Sequence, residues 1–569
     1  MIYADAETRR RDSDIFEVPD FSRQSNLERN CGQIFAMGPA LTKEIFEKMN
    51  AEIVPKKTYL FGHAMNTKRI LFLSGLFLLF FISLFGASVM WCTDFFDNTV
   101  LSTLAISNES QHFHMWEKPT PKTLYSIYVF NYTNIKDFER RMDDKLRVKE
   151  VGPYVYEETL ERVNFVFNDD DTVSYQEKRT YQFLADQSRG KQNDRVVVPN
   201  ILLMAGAATT KHRNYFARLA YSSVLTGLGE QPFLSLPVDK FITGYDSKFY
   251  DIYTTLANIN NEHPPKKFGL LSNKMGLQPK VFSMNTGKSD INRLGLMERI
   301  DGKKLFDYWS TDECNSLNGG DGSMFPPKLV QNKRPVSVVL PQMCRSVPFA
   351  FEKEVAVLDG KIPAYRYATA EDLYDSAEEV PERQCFCSMD GSVCPPKGVF
   401  NATPCNNGAP FFISNPHFYG ADKSLFDGVA GLSPAKRDVR SYLYVHPTMG
   451  FAMSGKSVVQ LNIQVQKGYG VYQLDRYQEG LMLPIVWLEG VLSDKTLPQN
   501  FKDIIYDATY TLKGVKLAFR WGCLLTVLIT LVCIVLAFKR NWKTPRRIHD
   551  RNSRRALRTH QEGENVEEI

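Results

Sequence analysis

The stretch at residues 450–457, GFAMSGKS, satisfies the phosphate-loop pattern G-x-x-x-x-G-K-[ST] at every specified position. Such a loop holds a phosphate when a helix follows it, because the helix N-terminus aims its backbone amides at the anion. Here the residues that follow alternate between polar and apolar side chains, the apolar ones being Val459, Leu461, Ile463 and Val465. That alternation predicts a half-buried strand. We therefore interpret the motif as accidental and expect Gly450 and Gly455 to bound a hairpin turn.

Other residues whose types could serve catalysis, phosphate binding or metal binding also lack the neighbouring residues that such chemistry requires. Two Asp-Gly-Ser triplets, at 321–323 and 390–392, faintly resemble phosphate loops, but Asp-Gly is a common turn dipeptide. His112 and His114 have no partner cluster for a metal, and the cysteines within 385–394 have no nearby histidine cluster. The sequence contains neither G-x-S-x-G nor H-E-x-x-H. These observations predict a protein that is not an enzyme and needs no metal or cofactor.

Two uncharged segments determine how the chain is organised. Residues 70–91 form 22 uncharged positions, roughly 33 Å as a helix, and residues 521–538 form 18 more. Neither has a polar face, so both are predicted to span a membrane. The basic residues next to these segments favour a cytosolic location for both termini. They are Lys56, Lys57, Lys68 and Arg69 before the first segment, and Lys539, Arg540, Lys543, Arg546 and Arg547 after the second.

The predicted parts are a cytosolic tail (1–69), a transmembrane helix (70–91), an extracellular or lumenal domain (92–520), a second transmembrane helix (521–538) and a cytosolic tail (539–569). Residues 70–538 carry 49 basic and 49 acidic side chains, so the body of the protein is neutral. It has no basic stripe and no nucleic-acid-binding motif, which excludes nucleic acid as a partner.

Cysteines and glycosylation sequons agree with an oxidising location for the central domain. Six of the ten cysteines fall in its second half: Cys314, Cys344, Cys385, Cys387, Cys394 and Cys405. An even number predicts three disulfides, for which 15 pairings exist. The N-x-[ST] sequons at Asn108, Asn131 and Asn401 lie in the same region, and neither tail contains one.

The pattern of the central domain is mainly β with inserted helices. Residues 124–133 and 172–184 are rich in aromatic and β-branched residues and predict strands. Residues 198–228 contain no proline after Pro199 and many alanines and leucines, which predicts a helical region. After residue 244, short strand-like runs alternate with Gly, Pro, Asn and Asp turns, which is typical of a large antiparallel β domain. No internal repeat is visible, so we expect a single domain.

Several segments resemble the class B scavenger receptor family. WEKPTPKTLYSIYVFNYTN at 116–134 and VGPYVYEE at 151–158 resemble its signature segments. The match continues in order through PFLSLP at 232–237, MFPP at 324–327, CFC at 385–387 and LPIVWLEG at 483–490. The resemblance covers about residues 65–540 and includes both apolar segments.

This resemblance implies a specific architecture. The family fold is a β-barrel-like core with a membrane-distal helical bundle and an internal hydrophobic tunnel, through which fatty acids, cholesterol or cholesteryl esters pass toward the membrane. The family pattern implies the disulfides Cys314–Cys385, Cys344–Cys405 and Cys387–Cys394.

The helical bundle should correspond to about residues 200–229. The family often has lysines near the end of this region, but TGLGEQ at 226–231 has none, which weakens the case for anionic ligands. Basic residues lie earlier, and on one continuous helix Lys211 and Arg218 would share a face. A solvated helix face is the alternative interpretation. The predicted ligand-binding residues are Lys211, His212, Arg213, Phe216 and Arg218.

The predicted function is a cell-surface receptor that binds lipids or lipoprotein particles and transfers lipid to the membrane. The main alternative is a protein-binding trafficking receptor of the lysosomal or endosomal membrane that escorts a lumenal partner. Because neither tail shows an acidic dileucine signal, the plasma membrane is favoured. A two-span ectoenzyme and a ligand-gated channel are remote alternatives, since the second span offers few polar side chains for a pore. Self-association stays open.

Overall fold

The structure is a computed structural model that describes residues 58–60, 63–65, 67–108, 110–259, 264–387, 394–434, 439–468, 470–493 and 497–542. Most of both predicted tails therefore lies outside the described residues. The chain divides into two compact units, residues 1–91 with 520–569, and residues 92–519.

The helices are α1 (Thr67–Cys92), α2 (Phe95–Ser102), α3 (Gln111–Glu117), α4 (Ile135–Glu139), α5 (Ile201–Thr210), α6 (Tyr215–Leu228), α7 (Val238–Thr243), α8 (Lys248–Ile259), α9 (Asp312–Asn315), α10 (Pro327–Gln331), α11 (Gln499–Tyr506) and α12 (Leu512–Trp542). A π-helical turn, Asp507–Thr511, joins α11 to α12. Short 3₁₀ turns lie at Ser272–Lys274, Ile291–Arg293, Pro381–Phe386, Pro404–Asn406, Pro416–Phe418, Lys423–Phe426 and Tyr472–Leu474.

The strands are β1 (Thr58–Leu60), β2 (His63–Met65), β3 (Thr123–Tyr132), β4 (Leu146–Phe167), β5 (Thr172–Phe183), β6 (Arg195–Pro199), β7 (Phe233–Pro237), β8 (Gly276–Asn285), β9 (Met297–Ile300), β10 (Val336–Leu340), β11 (Arg345–Val357), β12 (Ile362–Thr369), β13 (Val399–Asn401), β14 (Phe411–Ser414), β15 (Val429–Ala430), β16 (Tyr442–Val445), β17 (Ala452–Gln464) and β18 (Met482–Leu492).

The first unit contains two long apolar helical segments. Helix α1 has 26 residues, and the continuous helix that ends in α12 is long and apolar enough to cross a membrane. Their outer ends meet where the rings of Trp91 and Trp521 lie 5.7 Å apart, edge to face. Arg520 stacks on Trp91 and donates from Nε to the carbonyl oxygen of Met90 at 3.1 Å. This confirms the predicted pair of spanning helices.

The second unit is built on one 14-stranded sheet. Its main path runs β10-β11-β12-β16-β17-β18-β3-β4-β5-β8-β9, while β13, β14 and β15 pair beside it. The described strand pairs of this sheet are antiparallel except for β15 with β4. The predicted mainly antiparallel β domain is therefore confirmed.

The two edge strands of this path are joined by a short glycine segment. The N–H of Met297 in β9 donates to Gly319 O at 2.7 Å, and the N–H of Gly320 donates to Ser337 O in β10 at 3.1 Å. Gly319 has φ +127, and a Cβ there would overlap the carbonyl oxygen of Ser337. A Cβ on Gly320 would overlap a neighbouring backbone carbonyl in the same way. The sheet thereby forms a nearly closed barrel whose closing segment requires glycine.

A buried ion pair lies beside apolar core residues that include Trp116 and Tyr175. Arg162 in β4 and Asp321 approach to 2.6 Å, and the guanidinium lies over the Trp116 ring at 4.7 Å. Burial opposes ionisation of Asp321, but the charge of Arg162 and hydrogen bonds from Ser323 hold its pKa below the ordinary value. The first Asp-Gly-Ser triplet is thus a structural element of the core. The second lies outside the described residues.

The phosphate-loop match falls on a turn and a strand. Gly450 has φ +77 in the turn before β17, but Gly455 lies inside β17, opposite Leu443, so the prediction that it bounds the turn is wrong. The reason is steric, because a Cβ at Gly455 would lie 2.9 Å from a methyl carbon of Leu443. Lys456 forms an ion pair with Glu489 of β18 at 3.1 Å.

The strand predicted after the motif is confirmed, but its polar side is not solvated. Gln460 and Asn462 are completely buried. The side chain of Gln460 donates to Asn462 Oδ1 at 2.8 Å, and Asn462 donates to Ser414 Oγ at 3.0 Å. Gln460 Oε1 accepts from the N–H of His417, whose Nε2 lies 2.6 Å from Glu150. Hydrogen bonds within the protein therefore satisfy the polar side chains that the alternation pattern predicted to face solvent.

The π-helical turn carries a buried histidine contact. His446, in the turn between β16 and β17, is 1% exposed, and its Nε2 lies 3.1 Å from Thr509 Oγ1. Its Nδ1 accepts from the backbone N–H groups of Thr448 and Met449 at 3.3 and 3.2 Å. Burial and, secondarily, the nearby Lys513 charge lower the pKa of His446 to about 4. The neutral ring thus links the sheet to the helix that leads into the second span.

Candidate functional site

The predicted helical region consists of two helices with different surroundings. Helix α5 is apolar on all sides and is mostly buried. Its cap, Asn200, accepts from the N–H of Leu203 at 3.2 Å and donates to Glu230 Oε2 at 2.9 Å, beyond the end of α6. The Tyr221 hydroxyl of α6 donates to Leu203 O at 2.6 Å, which fixes α6 against α5.

The boundaries of α6 follow from its end residues. Asn214 caps the helix by accepting from the N–H of Ala217 at 2.9 Å. The helix ends where Gly229 adopts φ +67, a conformation that glycine takes without strain. Val198 belongs to β6, and residues 211–214 form a turn, so the single predicted helical region at 198–228 is wrong in extent.

The structure separates the predicted ligand-binding residues into three environments. Lys211 lies at the end of α5 and pairs with Glu479 at 2.7 Å. His212 and Arg213 are exposed in the following turn, while Phe216 and Arg218 lie on α6, the latter partly buried. Lys211 and Arg218 are therefore not on one helix, and the shared face proposed for them is wrong. The turn at 211–214 interrupts the helix that the spacing argument requires.

The exposed side chains of α6 and its neighbour α8 are unusually apolar. Phe216 is 78% exposed on α6, and Ile259 is 73% exposed on α8. The two helices pack where the rings of Tyr221 and Phe249 lie 5.9 Å apart. We call the exposed apolar side chains of both helices the apolar helical surface: Tyr215, Phe216, Leu219, Ile252, Tyr253, Leu256 and Ile259. Contiguous exposed apolar groups mark contact surfaces, whereas isolated ones are ordinary on a protein surface.

The α8 half of this surface was not predicted from the sequence. Ile252, Leu256 and Ile259 follow the spacing i, i+4, i+7, which places them on one side of a helix. That periodicity was available in the sequence. The periodicity does not show whether this side of the helix faces solvent or the core, because the same spacing is typical of a helix that packs on a core.

The remaining residues that could bind a metal do not form a cluster in the described part of the chain. No group of three His, Cys, Asp or Glu residues suited to a metal ion occurs among the described residues. His114 is exposed beside Glu117 at 3.4 Å, and the side chain of His112 lies outside the described part.

The structure links the cysteines as Cys314–Cys385, Cys344–Cys405 and Cys387–Cys394, the same pairs that the resemblance implies. Of the sequons, Asn108 is exposed in a turn. Asn131 Oδ1 accepts from the N–H of Val197 at 2.8 Å, and Asn401 Oδ1 accepts from the N–H of Thr403 at 3.0 Å. Both interactions leave the side-chain amide nitrogen, to which a glycan attaches, uninvolved. Glycosylation of the three stays a prediction.

A cleft of about 410 Å³ lies beside β4 and β6. Its lining is apolar at Val151, Tyr154 and Val196 and charged at Arg189, Arg195 and Asp194. Its volume is within the range of small-ligand pockets. The internal hydrophobic tunnel stays a prediction.

These features define a class of protein: a two-span membrane protein whose large disulfide-bonded β domain presents an apolar helical surface. The profile of the CD36 family matches residues 74–538. The chain is 31% identical to mouse scavenger receptor class B member 1 over 431 residues, 75% of this chain and 82% of that protein. It is 29% identical to human lysosome membrane protein 2 over 419 residues, 72% and 83% of the two chains. It is also 29% identical to sensory neuron membrane protein 2 of Ostrinia furnacalis over 487 residues, 78% and 88% of the two chains.

The chain belongs to the CD36 family. Its relatives of the scavenger-receptor type support a receptor role, and its two apolar helices make it an integral membrane protein.

Proposed function

We propose that this receptor binds lipid or lipoprotein particles through the apolar helical surface and passes lipid to the membrane. The observation that carries the proposal is the exposure of the apolar side chains of α6 and α8, above all Phe216, Leu256 and Ile259. The cargo would be fatty acid, cholesterol or cholesteryl ester, moving through an internal tunnel.

The chemistry of this surface suits a lipid monolayer better than a small polar ligand. Burying a large apolar side chain contributes roughly 1.5–3 kcal/mol, so a few such residues suffice for particle binding. His212 and Arg213 are exposed in the turn that precedes Tyr215 and Phe216. A basic segment followed by aromatic side chains is typical of contacts with lipid headgroups and acyl chains. Lys211 contributes less, because Glu479 offsets its charge.

The relatives support this proposal by name, since one is a scavenger receptor of class B. We place the protein in the plasma membrane with both termini cytosolic. The similarity to a lysosome membrane protein supports an alternative location, the lysosomal or endosomal membrane. In that alternative, the protein would be a trafficking receptor that binds a lumenal protein.

The test is particle binding by cells that express the full-length protein. Cells carrying the wild type or the double variant Phe216→Asp, Leu256→Asp are incubated with lipoprotein particles that contain a fluorescent cholesteryl ester. We expect binding and ester transfer to fall about tenfold or more at equal surface expression, because two apolar side chains that the bound particle would cover become charged.

The matched control is Leu277→Asp, which changes a leucine of similar exposure on β8. This variant should bind particles like the wild type. Unchanged binding by the double variant would contradict the proposal, and equal losses in both variants would indicate a general effect of added charge.

A further inference from the structure

Arg345 is a buried cation between two aromatic rings. It is the first residue of β11 and is 5% exposed. Its guanidinium carbon lies 4.3 Å from the ring centre of Phe386 and 4.8 Å from that of Phe400. Both distances are within the range of a cation–π interaction, which holds the side chain in place.

Other buried arginines in the described part of the chain have acidic partners, whereas Arg345 has none there. Arg162 pairs with Asp321 at 2.6 Å, and Arg366 pairs with Glu352. Arg345 forms no ion pair with a described residue. Its buried Nε, like the Nε of Arg162 and Arg366, has no hydrogen-bond acceptor among the described residues, so the missing ion pair is what distinguishes Arg345. Ring contacts alone compensate poorly for the loss of hydration of a full charge.

The positive charge of Arg345 persists at physiological pH. Burial lowers its pKa to about 10, a net value in which Tyr374 opposes the decrease and the nearby Arg383 adds to it. A pKa of about 10 still leaves the guanidinium protonated at neutral pH. Deprotonation therefore does not remove the buried charge at neutral pH, and the side chain requires a negatively charged partner.

A small cavity adjoins this cation. Its volume is about 20 Å³, and Arg345, Tyr374, Asp375, Arg383, Phe386 and Phe400 are among the residues that line it. A cavity of this size accommodates one water molecule or one monatomic ion.

The other charges that line the cavity are balanced by neighbours. Arg383 lies 3.3 Å from the carboxylate of Asp372, and Asp375 lies 3.4 Å from Lys397. Among the described residues at the cavity, the charge of Arg345 is the one left without an acidic partner.

We infer that this cavity binds a monatomic anion, chloride in a physiological setting, as the counterion of Arg345. A water molecule would supply a hydrogen-bond acceptor but would leave the positive charge uncompensated. The anion would tie β11 to the disulfide-linked segment around Phe386, since both contribute to the cavity wall. The inference is independent of the proposed lipid function.

The test measures thermal unfolding of the purified full-length protein at constant ionic strength while sodium gluconate is replaced by sodium chloride. Because the anion binds the folded state, we expect the apparent Tm to rise saturably by about 2 °C. Bromide should reproduce the rise, and crystals grown in bromide should show an anomalous peak beside Arg345.

Two variants separate this site from general salt effects. Arg345→Met should abolish the chloride dependence. Arg366→Gln removes another buried arginine and should lower the Tm equally in both salts while the chloride dependence persists. An identical wild-type Tm in gluconate and chloride, or a bromide-grown crystal with water in the cavity, would overturn the inference, even if Arg345→Met fails to fold.

Discussion

His446 is expected to make the protein less stable as the pH falls from neutral to 5. In the folded state its pKa is about 4, while an unfolded chain has the ordinary value near 6.5. Between these values the unfolded state binds the proton and the folded state does not, so stability falls with decreasing pH. The full difference of about 2.5 pH units corresponds to about 3 kcal/mol, of which about 2 kcal/mol is lost between pH 7.5 and pH 5.

The structural reason is the burial of the imidazole, whose two ring nitrogens contact groups inside the protein. Nδ1 accepts from two backbone N–H groups, so it has no room for a proton without losing both contacts. The remaining nitrogen, Nε2, faces Thr509 in the π-helical turn. Protonation of Nδ1 would therefore break both contacts that hold the ring in the β16–β17 turn, while Nε2 keeps its hydrogen bond to Thr509.

The assay compares the wild type with His446→Asn by thermal unfolding at pH 7.5 and pH 5. Asparagine keeps an acceptor near Nδ1 but cannot titrate, so the wild type should lose about 2–4 °C more than the variant. His114→Asn, at an exposed histidine, is the matched control and should behave like the wild type. Parallel pH dependences in the wild type and His446→Asn would refute the reasoning.

Three further predictions concern stability. Gly320→Ala should destabilise the central domain by at least 2 kcal/mol, because the added Cβ overlaps a backbone carbonyl; denaturant unfolding checks this, and an unchanged midpoint would contradict the required close approach. Asp321→Asn should cost about 3–5 kcal/mol, because it leaves Arg162 buried without a counter-charge; a near-neutral effect in urea unfolding would contradict the buried pair. Replacing Cys314 and Cys385 with alanine should cost about 2 kcal/mol more than replacing Cys387 and Cys394, because the sequence separations are 71 and 7; equal losses under non-reducing conditions would show that loop entropy does not set the order.

The sequence predicted those parts of the fold that a local pattern encodes. The spanning helices were predictable because an uncharged apolar run of this length rarely occurs outside a membrane-spanning helix. The strand after residue 457 was predictable from alternation alone. The burial of Gln460 and Asn462 was not, because the partners Ser414 and His417 are distant in the chain and come together only in the folded sheet.

The candidate site was less predictable than the fold. Phe216 was identified, but the exposed apolar residues of α8 were not, since apolar periodicity does not state which side a helix exposes. The turn at 211–214 contains no proline or glycine, and its main local signal is the capping residue Asn214. Arg345 has no acidic partner among the described residues, a property that depends on which acidic residues fold near it and that no local pattern encodes.

The glycine segment that joins β9 to β10 also determines how the barrel can open. Three backbone hydrogen bonds connect the segment to the two edge strands, from Met297, Gly320 and Val339, whereas β17 and β18 share a register ten residue pairs long. A cooperative unit with so few bonds separates at a lower free energy than the rest of the sheet. Amide hydrogens of the segment should therefore exchange with solvent through a local opening, while those of β17 and β18 exchange through global unfolding. The barrel is therefore expected to open first at the segment between β9 and β10, and this opening exposes the core around Trp116 to solvent.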